Sequence, residues 1–123
     1  MKPTFIDHIV LNLRNIEETE KFYSIFLGKP EHKDKDQIVY MIGNTKIFFV
    51  RPKEEFESAD KDKGGLNHLA FGVSSLEELK SFEKVLNDSN IKNDGIQIDK
   101  YGKKEFIWFD DPNGYRLEFY LRS

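Results

Sequence analysis

Two histidines occupy matching positions in two similar stretches of the chain. His8 lies in Ile6–Leu13 (IDHIVLNL), and His68 lies in Leu66–Val73 (LNHLAFGV), at an offset of 60 residues (68 − 8). Both stretches alternate in the manner of a strand, in which successive side chains point to opposite faces. A single strand histidine is more often a hydrogen-bonded structural residue than a ligand. The recurrence of the histidine favours a paired role, such as binding one metal ion through two imidazoles.

A carboxylate can complete such a site. Glu118 lies between two apolar residues in the last predicted strand, so alternation places it on the opposite face from them. A carboxylate in a β-rich stretch is costly unless it is exposed, paired or bound to a metal. Taken alone, Glu118 is explained by an ion pair with Arg116 or Arg122. Taken with both histidines, a three-ligand site for one divalent metal ion (Zn, Ni, Mn, Fe(II) or Co) explains it better.

The elements that must position these residues repeat in one order. Asn15 and Ser75 are predicted N-caps, the second within an S-x-x-E capping box, and each precedes an amphipathic helix. The predicted elements are strand Ile6–Leu13, helix Ile16–Leu27, strands Glu31–Asp36, Ile38–Ile42, Thr45–Arg51 and Leu66–Val73, a helix from Leu76 to about Ser89, and strands Ile96–Lys100, Glu105–Asp110 and Arg116–Arg122. The order predicts an α+β fold of two tandem βαβββ modules, residues 1–55 and 64–123, joined by a polar linker within one domain.

Composition narrows the function classes. The 123 residues include no cysteine, which excludes disulfides, thiolate nucleophiles and cysteine-ligated metals. The net charge of −3, with no basic stripe, argues against a nucleic-acid partner. No apolar run is long enough to span a bilayer, and the first residues show no signal-peptide pattern, so we expect a cytoplasmic protein that does not bind membranes.

Three stretches resemble a known family. They are IDHIVLNL with the helix that ends KFYSIFLG, GLNHLAFGV followed by SLEEL, and FIWFDDPNGYRLEFY. They resemble the vicinal oxygen chelate superfamily, which includes glyoxalase I, extradiol dioxygenases, methylmalonyl-CoA epimerase, and fosfomycin- and bleomycin-resistance proteins. The resemblance implies paired βαβββ modules whose mixed sheets curl around a concave cleft. It also implies His8, His68 and Glu118 as metal ligands, a small-molecule substrate and a homodimer.

One position departs from the family pattern. Phe48 occupies the place in the first module that corresponds to Glu118, where glyoxalase I-like and epimerase-like members usually carry a fourth ligand that doubles as the base. Two functions therefore remain open. The first is a metal-dependent enzyme acting as a lyase or isomerase, a transferase or a dioxygenase. The second is a non-catalytic, small-molecule-binding resistance protein of the bleomycin-resistance type. No catalytic residue is assigned.

Aromatic and loop residues are predicted to form the substrate pocket. These are Tyr40, Phe48, Val50, Tyr101, Lys103, Trp108 and Tyr120. The lysine, with its neighbour Lys104, can offer charge to an anionic substrate. For each ring the alternative is plain core packing, and for each lysine it is a solvated surface position.

Overall fold

The computed structural model describes residues 1–122, and Ser123, the last residue of the predicted second module, lies outside them. The chain divides into two compact units, Met1–Ser58 and a second that begins at Ala59, so the division falls inside the predicted polar linker. The first unit contains β1 (His8–Asn12), α1 (Ile16–Leu27), β2 (His32–Lys33), β3 (Gln37–Ile42) and β4 (Thr45–Val50). The second contains β5 (Leu69–Val73), α2 (Leu76–Asp88), β6 (Gln97–Ile98), β7 (Glu105–Asp110) and β8 (Arg116–Leu121).

The two units share one topology. Their four-stranded sheets have the orders β1-β4-β3-β2 and β5-β8-β7-β6. In each sheet the first strand pairs in parallel with the last, and the remaining pairs are antiparallel. The predicted α+β fold of tandem βαβββ modules is thus confirmed. Two predicted strands, Glu31–Asp36 and Ile96–Lys100, shorten to two residues each, β2 and β6, and each lies at one edge of its sheet.

The helices begin at the predicted caps. The Asn15 side chain accepts a hydrogen bond from the backbone N–H of Glu18 (2.9 Å), and the Ser75 hydroxyl accepts one from that of Glu78 (3.1 Å). These bonds satisfy backbone donors that have no partner within the helix. Helix α1 ends at Gly28, whose φ of 78° falls in the region that favours glycine.

Each helix covers one face of its own sheet with aromatic packing. In the first unit the ring of Tyr23 on α1 lies 4.2 Å from that of Phe49 on β4. In the second unit Phe82 on α2 stacks on Phe119 of β8, with ring centroids 4.3 Å apart. Alternate residues of the central strands β4 and β8 are therefore buried beneath the helices, and the residues between them point to the other face of each sheet.

A buried turn fixes the start of β8. One carboxylate oxygen of Asp111 accepts hydrogen bonds from the backbone N–H groups of Asn113 and Tyr115, both at 2.8 Å. The other oxygen accepts one from the Asn113 side-chain amide at 3.0 Å, and the Asn113 side chain is fully buried. The backbone N–H of Gly114 donates to the Asp111 carbonyl at 3.1 Å, which closes the predicted turn. The turn holds β8 in register with β7 and thereby fixes the position of Glu118 along the sheet.

Candidate metal centre

His8 is the first residue of β1, and its side chain is about half exposed. Its Nδ1 lies 2.8 Å from a carboxylate oxygen of Asp7. An ionised carboxylate only accepts hydrogen bonds, so Nδ1 is the donor in this contact, and in the neutral imidazole Nε2 then keeps its lone pair. A ligand histidine is usually oriented by such a bond from its other nitrogen.

His68 has the same arrangement in the second unit. Its Nδ1 lies 2.6 Å from the side-chain oxygen of Asn67. The Asn67 amide nitrogen donates to the Lys61 carbonyl at 3.0 Å, which fixes the amide so that its oxygen faces the imidazole. Nδ1 of His68 therefore donates, and Nε2 again keeps its lone pair. Two histidines at equivalent positions of a repeat thus each have Nδ1 as the hydrogen-bond donor, and in the neutral imidazole this arrangement leaves Nε2 able to bind a metal.

Glu118 lies beside His68. One Glu118 carboxylate oxygen is 3.8 Å from Nε2 of His68, and the carboxylate side chain is 16% exposed. Burial is the largest cause that raises the pKa of the Glu118 carboxyl, and the Asp99 carboxylate adds to it, while a protonated His68 imidazole and the Arg116 guanidinium lower it. Such a half-buried carboxylate is stabilised by a neighbouring cation.

Arg116, one of the two predicted ion-pair partners of Glu118, binds elsewhere. Its Nε donates to the Asp110 carboxylate at 2.7 Å, and its guanidinium lies over the Trp108 ring, 4.0 Å from the ring centroid. Arg116 therefore does not form the ion pair with Glu118 that would explain this carboxylate as an ordinary surface residue. Among residues 59–122, no third His, Asp or Glu joins His68 and Glu118 in a metal-binding cluster. The remaining predicted ligand, His8, belongs to the first unit.

The strand register confirms that Phe48 is the counterpart of Glu118. Val10 pairs with Phe48 in the first sheet, and Ala70, which is equivalent to Val10 in the repeat, pairs with Glu118 in the second. The Phe48 ring contacts the His8 ring edge-on, with centroids 5.6 Å apart. The sheet face that carries His8 therefore presents an aromatic ring where the other unit presents a carboxylate.

A cavity of about 650 Å³ opens on the sheet face that carries Glu118. Ala70 and Gly72 of β5 pair in register with Glu118 and Tyr120. Because both have small side chains or none, they leave room above the sheet next to these two residues. The other lining residues are His68, Asp99, Tyr101, Phe106 and Arg122. The predicted ligands His68 and Glu118 therefore share this cavity.

The structure places the predicted pocket residues in different parts of the two units. Tyr101 and Tyr120 line the cavity of the second unit. Trp108 pairs with Glu118 in register and so shares its sheet face beneath Arg116, while Lys103 lies in the loop between β6 and β7. In the first unit, Phe48 and Val50 alternate along β4 on the face that carries His8, because Val10 and Asn12 pair with them.

Tyr40 lies on the other face of the first sheet. Its side chain is fully buried, and its ring packs against that of Tyr23 on α1. Its hydroxyl is 2.8 Å from the Ser24 hydroxyl. The placement of Tyr40 in the pocket wall is corrected, because the register of β3 turns this ring toward the helix.

Five residues that line the cavity were not predicted as pocket or ligand residues: Ala70, Gly72, Asp99, Phe106 and Arg122. Phe106 had an available signal, since it alternates with Trp108 along β7 and pairs with Tyr120. Asp99 had none, because its contact with Tyr120 joins residues 21 positions apart.

The comparisons with known proteins agree with this topology. Residues 5–119 match the model of the Glyoxalase/Bleomycin resistance protein/Dioxygenase superfamily. The chain belongs to this superfamily. No helix among residues 1–122 is long and apolar enough to cross a membrane.

Named relatives cover the chain to different extents. The metallothiol transferase FosB of Lysinibacillus sphaericus is 25% identical over 94% of this chain and 80% of its own length. An uncharacterised protein of Escherichia coli, YaeR, is 39% identical, but the match spans only 46% of this chain and 41% of that protein.

Solved structures share the superfamily fold over nearly the whole chain. A glyoxalase family protein from Enterococcus faecalis is 26% identical, with a TM-score of 0.77, over 94% of this chain and 96% of that one. The fosfomycin resistance protein FosX from Listeria monocytogenes is 17% identical, with a TM-score of 0.77, over 99% and 96% of the two chains. The second likeness concerns the fold alone.

Proposed function

We propose that the protein is a divalent-metal-dependent enzyme whose ion is held by His8, His68 and Glu118 and that binds a small substrate through two oxygens. The observation that carries the proposal is the repeated orientation of the histidines. In each unit Nδ1 donates to an acceptor on the preceding residue, Asp7 or Asn67, and this leaves Nε2 for a ligand.

The donor set fits a borderline divalent ion. Two neutral imidazoles and one carboxylate suit Zn, Ni, Mn, Fe(II) or Co, and the set does not choose among them. The 3.8 Å between His68 Nε2 and the Glu118 carboxylate is too long for a strong hydrogen bond and leaves both atoms available to a shared cation. When bound, such an ion supplies stabilisation of the negative charge that develops on substrate oxygens.

Phe48 bears on the type of reaction. A phenyl ring cannot take or give a proton, so the first sheet offers no carboxylate base at the place equivalent to Glu118. We therefore favour a transferase or dioxygenase reaction, in which a second reactant attacks, over isomerisation by an enzyme carboxylate of the glyoxalase I kind. The similarity to the protein named metallothiol transferase supports this preference.

The substrate would occupy the cavity next to Glu118. Its volume of about 650 Å³ suits a small molecule, and Tyr101 and Tyr120 provide aromatic walls. Lys103, in the same loop as Tyr101, would add positive charge near the opening.

A second function is favoured by the face around His8. Phe48 contacts the imidazole there, and Val10 and Met41 are 52% and 46% exposed. Such an apolar face suits sequestration of a hydrophobic molecule without chemistry, as in a bleomycin-resistance-type binding protein. Stoichiometric metal binding separates the two functions, because sequestration does not require the ligand set.

The proposal is tested by elemental analysis and calorimetry on protein purified without a metal-affinity tag. We expect one divalent ion per chain in the wild type. The His68→Ala variant should lose it while keeping the circular dichroism spectrum of the wild type. His32→Ala is the matched control, because that histidine pairs with Asp34 on the edge strand β2. One tightly bound ion per chain in His68→Ala would place the site elsewhere.

A further inference from the structure

Tyr120 is held by a hydrogen bond that crosses the second unit. Its hydroxyl donates to the Asp99 carboxylate at 2.7 Å, which joins β8 to the loop that follows β6. The Tyr120 ring stacks on that of Phe106, with centroids 6.2 Å apart, and it lines the cavity two residues along the strand from Glu118. The ring therefore has a fixed position beside the proposed ligand.

The same carboxylate also holds the loop 99–104. Its oxygens accept hydrogen bonds from the backbone N–H groups of Tyr101 (3.1 Å) and Gly102 (3.2 Å). The hydrogen bond from the Tyr120 hydroxyl contributes most to lowering the pKa of the Asp99 carboxyl, and the bonds from these two backbone N–H groups lower it further. The Asp99 carboxyl is therefore ionised at neutral pH. One carboxylate thus fixes two walls of the cavity, the Tyr120 ring and the loop that carries Tyr101.

Gly102 is required by this arrangement. A Cβ added at Gly102 would overlap the Tyr120 hydroxyl and lie 2.9 Å from an Asp99 carboxylate oxygen. The φ of Gly102 is not in the left-handed region, so close approach and not backbone strain excludes a side chain there. Any larger residue would push the Tyr120 hydroxyl away from Asp99.

We propose that Asp99 and Gly102 are positioning residues that hold Tyr120 and the 99–104 loop in place, so that the walls of the cavity beside Glu118 are ordered before a small ligand of the ion arrives. This proposal rests on the proposed function, because it takes Glu118 to be a metal ligand. Ordering the walls in advance removes the entropy that binding would otherwise lose to immobilise a tyrosine and a loop.

Three variants separate the parts of this arrangement. Tyr120→Phe removes the hydroxyl and keeps the ring, and Asp99→Asn leaves one acceptor oxygen in place of two. Gly102→Ala displaces the hydroxyl by contact. Gly64→Ala is the matched control, since a Cβ at Gly64 meets no atom within 4 Å and Gly64 does not line the cavity.

The ligand measurement uses Co²⁺ followed by oxalate, read from the visible absorbance of the Co²⁺-loaded protein. We expect Co²⁺ affinity to be unchanged in all four variants. Oxalate affinity should fall about three- to tenfold in Tyr120→Phe, Asp99→Asn and Gly102→Ala, and should stay at the wild-type value in Gly64→Ala. Wild-type oxalate affinity in the three variants, with normal Co²⁺ binding, would overturn the proposal.

Amide hydrogen exchange on metal-free protein tests the coupling independently of any ion. Exchange at Tyr101 and Gly102 should speed up about tenfold in Tyr120→Phe, because Asp99 loses the hydrogen bond that anchors it to β8 and local opening becomes easier. Unchanged exchange would overturn the coupling. Failure of the wild-type protein to bind Co²⁺ would overturn the proposed function and the part of this proposal that concerns ligand binding. The exchange rates would still decide whether Asp99 couples the Tyr120 ring to the 99–104 loop.

Discussion

Phe48 and Glu118 occupy equivalent places on the central strands β4 and β8 of the two units. Each pairs with a residue two positions after the histidine of its own unit, Val10 in one case and Ala70 in the other. The repeat therefore carries a carboxylate beside one imidazole and a phenyl ring beside the other. Because of this difference, the protein would supply three ligands to the proposed metal centre and not four.

Replacing Phe48 by Glu should add a fourth ligand. We expect Zn²⁺ or Co²⁺ affinity to rise about tenfold or more, since a carboxylate would then stand beside His8, and tenfold corresponds to about 1.4 kcal/mol. Native activity should fall, because the new ligand fills a position that the substrate needs. Calorimetric titration checks this, with Phe48→Leu as the control for loss of the ring. Equal affinities of Phe48→Glu and the wild type would show that Phe48 does not border the ion.

Removing the acceptors that orient the imidazoles should weaken metal binding without removing a ligand. Asp7→Ala and Asn67→Ala each leave Nδ1 unpartnered, and we expect about a 10- to 100-fold loss of affinity. The exposed Asp94→Ala change serves as the control. If both variants bind Zn²⁺ as the wild type does, these hydrogen bonds do not serve the site.

Asp111→Ala should destabilise the second unit. The buried carboxylate accepts three hydrogen bonds within its turn, and its loss leaves the backbone N–H groups of Asn113 and Tyr115 without these acceptors. We expect the free energy of unfolding in urea to fall by about 3 kcal/mol. Asp94→Ala, at an exposed position, should change it by less than about 0.5 kcal/mol. A loss as small as that of the control would mean that the turn is not needed to hold β8.

The edge strand β2 should respond to acid through Asp34. The backbone N–H of Asp36, together with His32 and Gln37, lowers the pKa of the Asp34 carboxyl to about 2. A lowered folded-state pKa stabilises the fold above the unfolded-state pKa, near 4, and the stabilisation is lost as the pH falls toward 2. A carboxyl NMR titration should give a midpoint near 2, and an ordinary midpoint near 4 would contradict it. Asp34→Asn should remove this part of the acid response.

The protein should assemble as a homodimer. Within residues 1–122, two strands of each sheet have pairing partners on one side only: β1 and β2 in the first, β5 and β6 in the second. Open edges favour association, and two-fold pairing is its commonest form. Sedimentation equilibrium at micromolar concentration should give twice the chain mass of 14.5 kDa. A single species of one chain mass would require a site completed within the chain.

The sequence by itself determined the repeat, both helices and the equivalence of Phe48 with Glu118. Helix ends are set locally, by caps such as Asn15 and Ser75 and by apolar residues at three- and four-residue spacing, so a linear pattern contains the information. The placement of His8, His68 and Glu118 on the sheet faces away from the helices was also readable, since alternation fixes which face a strand residue occupies. Whether these three residues bind one ion stays a prediction.

Only the tertiary structure decided which sheet face each residue of β3 occupies and which residues form the cavity wall. Ile38, Val39 and Tyr40 are consecutive and all buried, so alternation of polar and apolar residues gives no face for Tyr40, and pairing with β4 sets it. The hydrogen bond between Asp99 and Tyr120 forms only when the strand order brings the loop after β6 against β8. Contacts between residues far apart in the chain depend on register and packing, and no local pattern in the sequence encodes them.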